Sequence, residues 1–87
     1  MRSLMIAVLP NGIIGGGFVI ADANDFGEAL RQRRKELGYT QAFLSEFSGF
    51  SVTFISDLEN GKSTAELGKA IYLANLLGLN CSLTPRN

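Results

Sequence analysis

Four short polar side chains lie close together near the middle of the chain: Ser51, Thr53, Ser56 and Asp57. Hydroxyl groups donate and accept hydrogen bonds and a carboxylate accepts them, so a helix that carries this set could meet a polar groove. Val52 adds one apolar side chain to the set. A helix through these residues would turn all five toward one side, free to enter a groove.

The segment that carries these residues is predicted to be the second helix of a tight pair. Gly49-Phe50-Ser51 separates two short helical segments, residues 41–48 and 52–60, which is the helix-turn-helix arrangement. Ser45 is the small residue that lets the two helices approach closely. The side chains predicted to point inward are Leu44, Phe50, Ile55 and Leu58. These apolar contacts would hold the second helix with its polar side outward.

Capping residues and glycines divide residues 25–78 into four predicted helices. The predicted N-terminal caps are, in chain order, Asp25 with Glu28, Thr40, Ser51, and Ser63 with Glu66, the last opening a helix over residues 64–77. The predicted terminal glycines are Gly38, Gly49, Gly61 and Gly78. Four helices with matching starts and ends predict a mainly α domain.

Residues 1–24 differ from the rest because they are apolar, rich in glycine and carry only two charges, Arg2 and Asp22. Two β-like runs around Pro10-Asn11-Gly12 are typical of a marginal hairpin, or of an arm that orders on a partner. The apolar runs are too short and too broken for a signal peptide or a membrane span. We therefore expect a flexible or partner-ordered arm ahead of the helical domain and no association with a membrane.

Residues 79–87 form a predicted dimerisation strand and tail. Leu79, Cys81 and Leu83 alternate with polar residues, which is the period of a β-strand. A single strand cannot satisfy its own backbone groups, so it needs the same tail from a second subunit or the N-terminal segment. The pattern predicts a homodimer, and it predicts that Cys81 is a small buried apolar residue.

The composition argues against catalysis. The 87 residues include no histidine and one cysteine, which removes the usual acid–base catalyst and any cysteine metal cage. The triplet at residues 15–17 lacks the Lys-Ser/Thr that follows a phosphate-binding loop. We expect a small cytoplasmic binding protein with no cofactor and no metal, not an enzyme.

The charge is balanced overall but unevenly distributed. Eight basic residues match eight acidic ones, yet four positive charges fall within residues 31–35 and none within residues 36–61. Arg31, Arg33 and Lys35, together with Lys62, could flank a groove and hold phosphates. The alternative is a solvated helix face that complements the helix dipole. Under both interpretations, positive charge is predicted beside the second helix of the pair and not on that helix.

The sequence resembles the Cro/C1-type (XRE) helix-turn-helix family. The resemblance covers about residues 25–78 and rests on residues 34–41, Leu44, residues 49–51 and residues 55–62. It implies a lambda-repressor-like bundle of four to five helices, with the C-terminal strand pairing across a dimer. The stretch from Glu66 to Ala70, through residues 76–79 to a strand ending at Pro85-Arg86, is similar to HipB-like antitoxins.

The resemblance also implies roles for individual residues. Gln41 would contact a DNA phosphate, and Lys62 would contact the DNA backbone. Ser51, Val52, Thr53 and Ser56 match positions that approach base edges, where Val52 can offer only apolar contact, as to a thymine methyl group. Arg34 and Glu59 match a structural ion pair that links the first and third helices. Asp57 would be repelled by phosphate unless it faces a cytosine amino group.

Two residues depart from the family pattern. Phe43 lies where a polar residue is usual, and is either a packing residue, which we favour, or an anchor for a partner. Ser45 replaces the usual alanine. With an acidic third helix, these departures leave room for weak or partner-assisted reading of DNA.

The resemblance implies a sequence-specific repressor that binds a palindromic operator in double-stranded DNA as a homodimer. Its HipB-like branch implies the antitoxin of a type II toxin-antitoxin operon, which neutralises a HipA-like kinase toxin and autoregulates. Two alternatives stay open: an interaction module that binds DNA only together with its toxin, and a free-standing phage-type repressor.

Overall fold

The computed structural model describes residues 8–9, 13–14 and 17–86 of the chain. Three short antiparallel strands, β1 (Val8–Leu9), β2 (Ile13–Ile14) and β3 (Gly17–Phe18), lie side by side in that order. Leu9 pairs with Ile13, and Ile13 pairs with Phe18. β1 and β2 pair on either side of the turn predicted at residues 10–12, and the turn itself lies outside the described residues. That a partner orders the arm stays a prediction.

Four helices follow: α1 (Ala23–Glu36), α2 (Gln41–Ser48), α3 (Val52–Glu59) and α4 (Leu67–Leu76). The predicted mainly helical fold class is thereby confirmed. Each of the four predicted terminal glycines has a positive φ, between 76° and 84°. Such a backbone conformation ends a helix without the steric cost that a Cβ would add. None of the helices in the described part of the chain is long and apolar enough to cross a membrane.

The caps of α2 and α3 are confirmed. The Thr40 hydroxyl accepts a hydrogen bond from the Phe43 amide, and the Ser51 hydroxyl accepts one from the Phe54 amide, both at 3.0 Å. α3 ends one residue earlier than predicted, at Glu59, with Asn60 as its C-terminal cap. The two helices that form the turn therefore begin where their hydroxyl residues indicate.

The predicted starts of α1 and α4 are wrong. Asp22 caps α1, since its carboxylate accepts from the Asp25 amide at 2.9 Å while the Asp25 carboxylate accepts from the Ala21 amide at 3.0 Å. This reciprocal pair starts the helix before Glu28 can contribute. α4 begins at Leu67, because residues 63–65 form a turn that packs Ala65 against the core. Glu66 makes no side-chain cap there.

The core lies between the four helices. Its buried residues are Leu30, Leu44, Ile55, Leu58, Ala70, Leu73, Ala74 and Leu77. Three of the four side chains predicted to point inward around the turn belong to it, whereas Phe50 is half-buried and contacts the rings of Phe54 and Tyr72. The face of α3 that carries Ile55 and Leu58 is thus fixed against the other helices.

Gly27 allows α1 to approach the end of α3 closely. A Cβ at this position would overlap the backbone oxygens of Leu58 and Glu59 at the end of α3. Glycine in a helix interior costs about 1 kcal/mol relative to alanine, and here it lets α1 pack directly on α3. The position of α3 therefore depends on a residue that has no side chain.

The C-terminal segment after α4 forms neither helix nor strand in this single chain, over residues 79–86. Leu79 packs against the core, but Leu83 is fully exposed. Cys81 is also exposed, so its predicted burial does not occur within one chain. The pairing of this segment across a dimer stays a prediction.

Candidate nucleic-acid interface

The turn between α2 and α3 is held by two serine hydroxyls. The Ser45 hydroxyl donates to the Phe50 carbonyl at 2.6 Å, and the Phe50 amide donates to the Ser48 hydroxyl at 3.1 Å. Gly49 makes the turn with a φ of 84°, and a residue with a Cβ rarely adopts this value. Ser45, which replaces the usual alanine, therefore fastens the turn as well as allowing the helices to approach. This hydrogen bond was not predicted from the sequence.

The outer side of α3 carries the predicted base-contacting residues. Ser51, Val52 and Thr53 are exposed, and Ser56 is half-buried. The Ser51 oxygen already accepts the capping hydrogen bond, so its hydroxyl proton stays available to donate. The Ser56 hydroxyl accepts a long hydrogen bond of 3.4 Å from the Asn60 side chain. Ser51 and Thr53 thus present hydroxyls, Val52 presents an apolar side chain, and Ser56 presents a hydroxyl that is already partly engaged.

Asp57 and Lys62 form an ion pair at the other end of this surface. The Lys62 ammonium lies 3.5 Å from the Asp57 carboxylate, and both side chains are about half exposed, at 53% and 42%. An exposed pair of this kind contributes at most about 1 kcal/mol to stability. Its larger effect is on the local charge, because Lys62 offsets the carboxylate that would otherwise repel phosphates near the recognition helix.

Arg34, Glu59 and Gln41 form one connected network. The Arg34 guanidinium bonds to both oxygens of Glu59, at 2.6 and 3.0 Å, so the predicted ion pair between α1 and α3 is present. The Gln41 side-chain amide donates to the same carboxylate at 3.0 Å. Arg34 also donates to the Tyr39 carbonyl at 2.8 Å. The two charged residues are buried, and the network fixes the first residue of α2 relative to α3.

Gln41 therefore has one amide hydrogen engaged and another free. The side-chain nitrogen carries two hydrogens, and one is directed to Glu59. Gln41 is also the first residue of α2, where backbone amides and the helix dipole favour an anion. Its predicted phosphate contact is compatible with this geometry, and Glu59 would hold the side chain in place for it.

The basic residues at the end of α1 divide into two kinds. Arg31 and Lys35 are exposed, one turn apart, beside Glu28, Gln32 and Glu36 at a shallow depression in the surface. Arg33 is engaged elsewhere: it donates to the Leu77 carbonyl at 2.8 Å and to the Glu36 carboxylate at 3.2 Å. The structure thus joins Arg33 to the end of α4 and leaves Arg31 and Lys35 as the more available cations.

Comparison with known proteins agrees with this arrangement. Residues 30–83 match the helix-turn-helix family. An uncharacterized HTH-type transcriptional regulator of Sinorhizobium fredii is 41% identical over 59 residues, which are 68% of this chain and 75% of that protein. A competence pilus inhibition repressor of Acinetobacter baylyi is 42% identical over 60 residues, which are 69% of this chain and 53% of that protein.

A solved HipA-HipB-O2-O3 complex contains a chain with the same fold. The TM-score is 0.73 at 22% identity, and the match covers 82% of this chain and 100% of that one. At this identity the likeness shows the fold alone. The family match, by contrast, covers the turn, the recognition helix and the core. The chain belongs to the Cro/C1-type helix-turn-helix family and is a DNA-binding transcriptional regulator.

Proposed function

We propose that the chain is a homodimeric, cytoplasmic repressor that binds a palindromic operator and is the antitoxin of a HipA-like type II toxin-antitoxin operon. The observation that carries the DNA-binding part is the two-sided character of α3. Ile55, Leu58 and Glu59 anchor one side, while Ser51, Val52 and Thr53 stay exposed on the other. A helix fixed on one side and polar on the other is suited to lie in a major groove.

The antitoxin part of the proposal rests on the likeness to the HipB chain in the complex with HipA. In a dimer, two copies of α3 would enter successive major grooves about 34 Å apart. The tail with Leu79, Cys81 and Leu83 would supply the strand that pairs the subunits. Dimerisation would also double the exposed cations, Arg31, Lys35 and Lys62, so that a neutral protomer still presents a basic face.

Gel shifts test the DNA-binding part directly. The full chain is titrated onto DNA from the region upstream of its own gene and onto scrambled DNA, at several salt concentrations. We expect a shift of the upstream DNA that weakens as salt rises, because phosphate contacts release counterions. The absence of any salt-sensitive shift would rule out an operator-binding role for the chain alone.

A second candidate function is an interaction module that binds DNA only with its toxin. The distribution of charge favours it: residues 36–61 contain no basic residue, and Lys62 is already paired with Asp57. The toxin would then supply much of the basic surface. DNA binding by the complex, with none by the chain alone, would favour this function. A free-standing phage-type repressor is the third candidate, and the absence of a toxin gene beside this one would favour it.

A further inference from the structure

Three aromatic rings cluster at the outer face of α2: Tyr39, which precedes the helix and packs partly against the core, and Phe43 and Phe47, which are exposed. The ring centroids of Tyr39 and Phe43 are 4.8 Å apart, those of Phe43 and Phe47 are 6.0 Å apart, and those of Tyr39 and Phe47 are 6.4 Å apart. Phe43 is 47% exposed and Phe47 is 53% exposed. We call these three residues the aromatic patch.

The outer side of α2 lacks most of the polar side chains that are usual on a surface helix. The side of α2 that faces the protein carries Leu44, which is fully buried, and Ser45, which bonds to the turn. The exposed positions of the same helix are Ala42, Phe43, Glu46 and Phe47. Surface helices normally place polar side chains outward. Three apolar residues of four on the outer side indicate a surface that another molecule covers.

The rings are suited to anchor a protein contact. Aromatic side chains bury about 150–250 Å² each when covered, and they are enriched among the residues that dominate binding energy at interfaces. Phe43 and Phe47 already stack with an interplanar angle of 12°, and Phe43 also packs on Tyr39, so the rings are held in place before any partner binds. Little side-chain freedom would then be lost on association.

Three kinds of molecule could cover the aromatic patch: DNA, a second copy of the chain, or a different protein. The charge around the patch distinguishes them. DNA is unsuitable, since α2 carries no basic residue and Glu46 lies on its exposed side. A second copy of the chain is also unfavourable, because a two-fold contact centred on the patch would bring Glu46 close to its symmetry mate. α2 itself carries no lysine or arginine that could compensate for that repulsion. The remaining occupant is a different protein with basic residues around an apolar groove.

We propose that the aromatic patch is the docking surface for the protein partner of this regulator, and that the partner receives Phe43 and Phe47 in an apolar groove rimmed by lysine or arginine. This inference rests on the proposed antitoxin function, in which that partner is the toxin. The patch includes no residue of α3, so the recognition helix keeps its own exposed side for DNA.

The test uses the full chain and the protein encoded next to it in its operon. Affinity is measured by calorimetry, and the association rate by surface plasmon resonance, for the wild type, for the double variant Phe43→Ser/Phe47→Ser, for Glu46→Lys and for Leu67→Ser. Leu67 is the matched control, because it is an exposed apolar residue, at 70%, outside both α2 and the N-terminal arm. Gel shifts and circular dichroism on each variant establish that the fold and DNA binding are retained.

The double variant should lose at least about 100-fold in affinity, since two central anchors are removed. Glu46→Lys should lower the association rate several-fold, because it opposes a basic rim. Leu67→Ser should bind like the wild type. Glu46→Lys keeps both rings, so it still tests the proposal if the double variant fails to fold.

Three results would overturn the inference, and they differ from one another. If the wild type binds the neighbouring protein and the variants bind it equally well, the patch is not the docking surface, although the antitoxin function stands. If the double variant turns a dimer into a monomer by sedimentation, the patch contacts a second copy. If the wild type does not bind the neighbouring protein at all, the antitoxin function itself fails, and the docking surface with it.

Discussion

The guanidinium of Arg34 and the carboxylate of Glu59 meet through two hydrogen bonds, 2.6 and 3.0 Å long, that join α1 to the end of α3. Both residues are buried, with 8% and 7% exposure. The same carboxylate accepts from Gln41 at the start of α2. One ion pair thus joins the helix predicted to approach the bases to the residue predicted to contact a phosphate.

Removing one partner of this pair should destabilise the domain strongly. Glu59→Ala leaves a buried guanidinium without its counter-charge and Gln41 without its acceptor, so we expect a loss of about 3–5 kcal/mol. Urea unfolding followed by circular dichroism measures it. Lys69→Ala is the control, since Lys69 pairs with Glu66 on the surface at 3.4 Å. The control should cost less than about 1 kcal/mol. Equal losses in both variants would contradict a structural role for the buried pair.

Gly27 should tolerate no larger side chain. Gly27→Ala places a methyl group against the Leu58 and Glu59 carbonyls, so α1 and α3 must separate. We expect a loss of roughly 1–3 kcal/mol or more from overpacking. Gly68→Ala is the matched control, because Gly68 is also helical but has open space around it. It should be neutral or stabilise by up to about 1 kcal/mol. Thermal unfolding of both variants distinguishes close packing from an ordinary glycine effect.

Local chemistry in the sequence predicts the parts of this fold that depend on neighbouring residues. Thr40 and Ser51 cap the helices that follow them, and each terminal glycine has the backbone conformation that its position requires. Where two local signals compete, the prediction fails: Ser63 and Glu66 resemble a capping box, but Ala65 is drawn onto the core and α4 starts at Leu67.

Contacts between distant residues explain the other differences. From the sequence, Arg33 is predicted to be one of a group of surface cations. In the structure it donates a hydrogen bond to the carbonyl of Leu77, 44 residues away. The close packing at Gly27 could have been predicted from the sequence. An isolated glycine in a helical pattern is costly unless another element packs against it. The exposed side of α3 was predicted from the helix-turn-helix spacing, whereas the anchoring of Gln41 by Glu59 needs the three-dimensional structure.

Base contacts and phosphate contacts should respond differently to substitution. Thr53→Ala removes one exposed hydroxyl on α3, so it should weaken operator binding by about 0.5–1.5 kcal/mol, the net value of a single hydrogen bond, and hardly affect binding to scrambled DNA. Arg31→Ala should weaken both by similar factors, because phosphates carry no sequence information. It should also reduce the slope of log affinity against log salt by about 1. Fluorescence anisotropy with both DNAs measures these effects, and the reverse pattern would contradict the assigned surfaces.

Arg33 should affect stability more than DNA binding. It donates to a carbonyl at the end of α4, and a hydrogen bond from a charged group contributes about 1.5–3 kcal/mol. Because Arg33 is about one-third exposed, we expect Arg33→Ala to cost the lower part of that range. Lys35→Ala, two residues along the same helix, should leave stability nearly unchanged and lower DNA affinity instead. If Arg33→Ala changes only the salt slope of DNA binding, its role is phosphate contact.

The C-terminal tail offers a test of the proposed dimer. Leu83 is fully exposed in the single chain, so a charge there costs the isolated protomer nothing. In a strand paired across the dimer, Leu83 would face the same side as Leu79 and Cys81, and Ser82 the opposite side. Leu83→Glu should therefore weaken dimerisation by about tenfold or more, from the loss of roughly 1.5–3 kcal/mol of apolar burial.

Ser82→Glu adds the same charge one residue earlier and is the matched control. Because successive side chains of a strand point to opposite faces, this variant should still dimerise. Sedimentation equilibrium over a range of protein concentrations compares the two. Equal effects of both substitutions would mean that general repulsion, and not a paired strand, determines the association. Dimerisation unaffected by either would show that the tail lies outside the interface, and α4, with its exposed Leu67 and Tyr72, would be the next surface to test.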